Sequence, residues 1–83
     1  MTCEDYMLRQ IQKEVEQARA KFPSPAGLMT ALTEEVGELA KAMLDEPHER
    51  VVAEAVQVAA MAVRLAAEGD PTLDQLRRER QSA

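Results

Sequence analysis

The stretch of sequence that decides the fold is VVAEAVQVAAMAVRLAA, residues 51–67. A helix over these residues is apolar nearly all round, which is typical of a helix at the centre of a bundle. Its few polar residues fall on one narrow stripe, which includes Glu54, Gln57, Arg64 and, just beyond the stretch, Glu68. The stretch is too short and too interrupted to span a membrane. We therefore predict an all-α fold with this helix in the middle.

Proline and glycine divide the rest of the chain into further helices. The predicted helices cover about residues 4–22, 25–45, 47–68 and 70–80. Ser24 is placed to cap the second helix, with Pro25 at the first helical position, where no N–H is needed. No segment shows the pattern of a β-strand. The predicted fold is a short bundle of three main helices plus a short C-terminal helix.

Two of the outer helices have an apolar face that we expect to pack in the core. Apolar residues three and four apart form a stripe on the first helix and a wider arc on the second. The stripe is Leu8, Ile11, Val15, Ala18 and Phe22, and the arc is Leu28, Met29, Leu32, Val36, Leu39, Ala40 and Met43. At about 100° per residue, Glu35 lies at the edge of the arc, Glu38 lies next to it, and Glu34 is the most exposed.

The composition describes a single domain, residues 1–83, with a thin core. The chain is 46% hydrophobic but only 2% aromatic, and a domain of this size is marginally stable alone. We therefore expect a homo-oligomer whose subunits share a core. The net charge of −5 argues against general nucleic-acid binding. Lone Cys3 and an acidic N-terminus without a signal-peptide pattern favour a cytoplasmic protein, with no membrane partner.

Acidic residues on two predicted helices indicate a metal site. Glu34, Glu35 and Glu38 fall within one short stretch of the second helix, and Glu54 interrupts the apolar third helix. Lys41 and Arg64 are too few to neutralise these four acids. Repulsion among them would raise their pKa values unless a cation intervenes. Mg²⁺, or alternatively Mn²⁺, is the natural cation because both favour hard oxygen ligands.

Two motifs carry a resemblance to a known family. They are Glu34-Glu35-Val36-Gly37-Glu38-Leu39-Ala40-Lys41 and Glu54-Ala55-Val56-Gln57-Val58-Ala59. Together they resemble the MazG-like branch of the all-α nucleoside triphosphate pyrophosphatases. The match covers the second and third helices, roughly half of the chain. The resemblance implies Mg²⁺-dependent hydrolysis of a nucleoside triphosphate to a monophosphate and pyrophosphate, by subunits that form homodimers or homotetramers.

The resemblance also implies roles for individual residues. Glu34, Glu35, Glu38 and Glu54 are expected to bind the metal ion, and Glu35 or Glu38 to activate the attacking water. Gln57 is expected to be an outer ligand or a phosphate contact. Lys41 is expected to contact phosphate oxygens or to pair with Glu38. Gln57 stands where the family normally has Asp, and an amide brings neither charge nor general-base capacity. The alternative is therefore a non-catalytic bundle of the same fold that binds a nucleotide or metal.

Plainer structural interpretations remain open for several of these residues. The acids of the second helix could form a solvated face in which Glu34 and Glu38 pair with Lys41. Glu54 could form an ion pair with Lys41 or Arg50. Tyr6 and Phe22 could stack on a nucleobase, but core packing is the more common role of such residues. Met29, Met43 and Met61 are expected to fill gaps between helices.

Overall fold

The computed structural model describes residues 1–82, which form four α-helices. They are α1 (Cys3–Lys21), α2 (Leu28–Asp45), α3 (His48–Glu68) and α4 (Pro71–Ser82). Within the described residues, α3 packs against α1 and α2, while α1 and α2 do not pack on each other. α4 packs on none of the other three. The predicted all-α class and the central place of α3 are confirmed.

The core is as thin as the composition suggests. Its buried apolar side chains are small or medium in size: Val15, Ala18, Leu28, Ala42, Val56 and Ala60. The largest fully buried side chain is the cation Arg64, which is 1% exposed. Arg64 donates to both oxygens of Glu68 at 2.9 Å, and Arg19 of α1 donates to the same carboxylate at 3.0 Å. The α1–α3 contact is therefore held by an ion-pair network beside a small apolar core.

The start of α2 differs from the prediction. α2 begins at Leu28 rather than at Pro25, because Gly27 adopts a left-handed conformation (φ 84°) just before it. Ser24 does not cap the helix, since its hydroxyl accepts from the Ala26 N–H inside the loop (3.2 Å). The cap is instead Asp70, whose carboxylate accepts from the N–H groups of Gly27 (3.1 Å) and Met29 (2.9 Å).

Asp70 also caps the start of α4. One of its oxygens accepts from the Thr72 N–H at 3.0 Å and from the Thr72 hydroxyl at 2.7 Å. These donors favour the ionised carboxylate, and they lower the pKa of Asp70 to about 2, with the Met29 amide making the largest contribution. A single buried carboxylate thus joins two helix N-termini that are far apart in sequence.

The apolar faces of the outer helices are only partly covered, contrary to expectation. Leu8 and Phe22 of the α1 stripe are exposed, and so are Met29, Val36 and Met43 of the α2 arc. The arrangement of the helices explains the difference. Because α3 is the central helix, each outer helix has one neighbour and can bury only one edge of a wide apolar face.

None of the helices in residues 1–82 combines the length and the apolar character that a membrane crossing requires.

Candidate functional site

A cleft of about 440 Å³ lies between α2 and α3, and it collects most of the predicted site. Its lining residues are Glu34, Glu35, Glu38, Arg50, Ala53, Glu54 and Gln57. All four predicted metal-binding acids and Gln57 are among them. Lys41 is exposed and does not line the cleft.

Helix geometry explains why these residues meet. The short connection after Asp45 makes α2 and α3 an antiparallel hairpin, so residues before and after the turn face each other. Glu35 and Glu38 are one helical turn apart on α2, as are Glu54 and Gln57 on α3. α3 packs against the edge of the α2 apolar arc that includes Glu35. This places the acids of α2 beside Glu54, which is itself buried at 9% exposure.

Glu35 is the most perturbed acid of the cleft. Its pKa is raised above the ordinary value of 4.5, first by burial and then by a hydrogen-bonding interaction with the Glu54 carboxyl group. The negative charges of Glu54, Glu38 and Glu34 raise it further. The repulsion predicted from the sequence is thus present at Glu35, and a cation at this point would relieve it.

Arg50 was not assigned to the site from sequence, although it was considered as an ion-pair partner of Glu54. Its guanidinium donates to Glu54 at 2.6 Å and lies 3.6 Å from Glu46. The signal was available: Arg50 precedes Glu54 by one helical turn, the spacing at which opposite charges pair on a helix. The ion pair satisfies part of the charge of Glu54 and brings one cationic group to the edge of the acidic cleft.

The oxygen atoms of the cleft are of the type that binds divalent cations, but the side chains that carry them are not gathered around a common point. Carboxylate and amide oxygens are the donors that Mg²⁺ and Mn²⁺ prefer. Within residues 1–82, however, no three His, Cys, Asp or Glu side chains are grouped closely enough to hold one ion. Glu34 and Glu38 on α2 are exposed, whereas Glu54 on α3 is paired with Arg50. Binding an ion would require the acids to turn toward one another.

The observed contacts and exposures bear on several of the plainer interpretations. Glu54 does pair with Arg50. Glu34 and Glu38 are exposed, as a solvated face requires, but neither forms an ion pair with Lys41 among the described residues. Tyr6 and Phe22 are 47% and 61% exposed, so neither packs in the core. Met43, at 69% exposure, is not a gap filler either.

Searches of protein-family models, of curated proteins and of solved structures found no match to this chain.

Proposed function

We propose that this protein is a Mg²⁺-dependent nucleoside triphosphate pyrophosphohydrolase that works as a homodimer or homotetramer. The observation that carries the proposal is the cleft between α2 and α3, which is lined by four glutamates from two helices, one of which, Glu35, has a pKa raised by burial and by the other three. Ionised carboxylates placed against an apolar hairpin destabilise it unless a cation neutralises their charge. The MazG-like motifs on the same two helices suggest that this cation serves phosphate chemistry.

In this proposal Glu34, Glu35, Glu38 and Glu54 would hold the ion, with Gln57 as an outer oxygen donor. The bound ion would neutralise phosphate oxygens and stabilise the charge on the departing pyrophosphate. Glu35 is the best candidate for taking a proton from the attacking water, because it is less exposed to solvent than Glu34 and Glu38. Arg50 lies where it could contact a phosphate once Glu54 binds the metal ion instead of pairing with Arg50. Lys41, outside the cleft, is a weaker candidate for that role.

A second pocket in the same groove supports the nucleotide part of the proposal. It has a volume of about 290 Å³ and is lined mainly by apolar groups, among them Phe22, Leu28, Ala31 and Met61. Ala31 precedes Glu34 by about one turn of α2, and Met61 follows Gln57 by about one turn of α3. A base or sugar there would lie next to phosphates in the acidic cleft, with the exposed Phe22 ring available for stacking.

The proposal is tested by incubating the protein with each of the eight common ribo- and deoxyribonucleoside triphosphates and Mg²⁺. Monophosphate and pyrophosphate should appear in equal amounts for at least one of them. Glu35→Gln and Glu54→Gln should each lower kcat/KM by at least about 100-fold, because a positioned proton acceptor or ligand is removed. Glu16→Gln, on the exposed surface of α1, is the matched control and should keep full activity. Absence of turnover with every nucleotide would contradict the proposal.

A non-catalytic binder of nucleotide or metal is the second candidate. Two features favour this second candidate. Gln57 supplies no charge to a bound metal ion, and the Arg50–Glu54 ion pair already neutralises part of the acidic cleft. Calorimetry separates the two candidates, because heat of nucleotide binding without product formation would favour the binder. Gln57→Asp should then increase the affinity for Mg²⁺.

A further inference from the structure

The apolar pocket of about 290 Å³ in the α2–α3 groove has a cation in its wall. Apart from Ser24 and Arg64, the residues that line it are apolar or glycine. The Ser24 hydroxyl already accepts from the Ala26 N–H at 3.2 Å. Arg64 is therefore the charged group of an otherwise apolar pocket.

The guanidinium of Arg64 is hydrogen-bonded on one side only. Its Nε and Nη2 atoms donate to the two oxygens of Glu68 at 2.9 Å. No residue in the range 1–82 accepts from the third nitrogen, Nη1. The Glu68 carboxylate also accepts from Arg19, so this network has two cations and one anion. Arg64 thus keeps two unused N–H donors and part of its positive charge.

The free Nη1 atom of Arg64 is open to the pocket. Arg64 is only 1% exposed. Every fully buried polar side-chain atom among residues 1–82 has a hydrogen-bond partner. Because Nη1 has no partner, the small exposed part of Arg64 must include this atom. Arg64 lines the pocket, so we place Nη1 at the pocket wall, where a bound molecule can accept from it.

Helix geometry connects Arg64 to the acidic cleft. Gln57 of the cleft and Arg64 of the pocket are seven residues apart, which puts them on one side of α3, about two turns from each other. Ala31 of the pocket and Glu38 of the cleft have the same spacing on α2. A nucleotide whose phosphates lie among the acids would therefore direct its base toward Arg64.

We propose that Arg64 recognises the base of the nucleotide by donating from Nη1 to an exocyclic carbonyl oxygen, so that the protein prefers bases that carry one. This inference rests on the nucleotide part of the proposed function. Guanine, hypoxanthine, uracil, thymine and cytosine have such an oxygen. Adenine has only an amino group in its place and would leave the buried donors unpaired. A site built around a buried donor strongly rejects a ligand that lacks the acceptor.

Nucleosides without phosphate test this recognition separately from metal binding and hydrolysis. Inosine and purine riboside are a matched pair, because purine riboside is the analogue without the carbonyl oxygen at C6. In NMR titrations of the ¹⁵N-labelled protein without Mg²⁺, millimolar inosine should shift the amide resonances of Leu28 and Ala31. Inosine should bind at least about tenfold more tightly than purine riboside or adenosine, as expected for one hydrogen bond from a charged donor.

Arg64→Met removes the donor and should make the affinities for inosine and purine riboside equal. Arg19→Met is the control, because Arg19 belongs to the same ion-pair network but does not line the pocket, and it should keep the preference for inosine. Circular dichroism must show native helix content in both variants, since Arg64 also joins α3 to α1 through Glu68. If Arg64→Met does not fold, the native protein's preference between the two nucleosides decides alone.

Equal affinity of the native protein for inosine and purine riboside would overturn the proposal, as would the absence of any shift with inosine. A preference for inosine that persists in folded Arg64→Met would also overturn it. An inactive protein that still prefers inosine contradicts only the proposed hydrolysis. Turnover of nucleotides by a protein without this preference contradicts only the role of Arg64.

Discussion

Glu35 is a carboxyl group whose ionised form is disfavoured by the folded protein. Because its pKa is raised from 4.5, the native state binds protons more readily than the unfolded state above that pH. The native state is therefore destabilised relative to the unfolded state as the pH rises from 4.5 through the raised pKa. We expect Glu35→Gln to raise Tm at pH 7 by a few degrees when no divalent ion is present, as measured by circular dichroism.

Mg²⁺ should reverse the difference in Tm between the native chain and the Glu35→Gln variant. At a hundredfold excess over its dissociation constant, a ligand of the native state adds about 2.7 kcal/mol of stability. The native chain should gain that stability with Mg²⁺, whereas Glu35→Gln should gain much less. Glu16→Gln should respond to Mg²⁺ as the native chain does. An equal response of native protein and Glu35→Gln would show that Glu35 does not contact the ion.

Sequence alone was sufficient to place most single residues of the cleft. Glu35, Glu38, Glu54 and Gln57 are each one helical turn from a partner in the same helix, and a hairpin brings the two pairs together. The extent to which their side chains converge could not be predicted, because it depends on rotamers and on competing partners. Arg50 shows the difficulty: its side chain could have turned to solvent but lies 2.6 Å from Glu54.

At the scale of helices, the start of α2 depends on a residue from another part of the chain. Ser24 and Pro25 are a sound local signal for a helix start, but the donors of α2 are satisfied by Asp70, 43 residues beyond Gly27. A local pattern contains no information about such a distant acceptor. Sequence periodicity likewise predicted the apolar arc of α2 without showing which edge of the arc α3 would cover.

Asp70→Ala should destabilise two helix starts at once. It removes the acceptor for the Gly27, Met29 and Thr72 amides, which leaves these N–H groups without a protein partner. We expect Tm to fall by at least about 5 °C, measured by thermal circular dichroism. Asp74→Ala, in the exposed first turn of α4, is the control and should change Tm little. Equal effects of the two substitutions would contradict the capping role.

At the scale of the whole molecule, the ionised carboxylates of Glu68 and Asp70 make the native state sensitive to acid. The pKa of Glu68 is lowered from 4.5 to about 2, chiefly by its hydrogen bond with Arg64 and then by that with Arg19. The pKa of Asp70 is lowered from 3.8 to about 2. A depressed carboxyl pKa stabilises the native state above the unfolded value, and this stability is lost as the pH falls through the folded value.

The protein should therefore lose stability between about pH 4.5 and pH 2, as protons bind Glu68 and Asp70 in the unfolded state first. Urea titrations at a series of pH values would measure the free energy of unfolding across this window. In Glu68→Gln the dependence on pH should be weaker, because one of the two groups no longer titrates. An unchanged pH profile in that variant would mean that the Arg64–Glu68–Arg19 network does not contribute to acid stability.

The bond from Asp70 back to α2 has a consequence for synthesis on the ribosome. As the chain emerges from the exit tunnel, the amides of Gly27 and Met29 have no protein acceptor until translation has passed residue 70. The helix that bears Glu34, Glu35 and Glu38 can therefore reach its final form only after all of α3 has been made. Assembly of the acidic cleft therefore follows the synthesis of α3 and of Asp70.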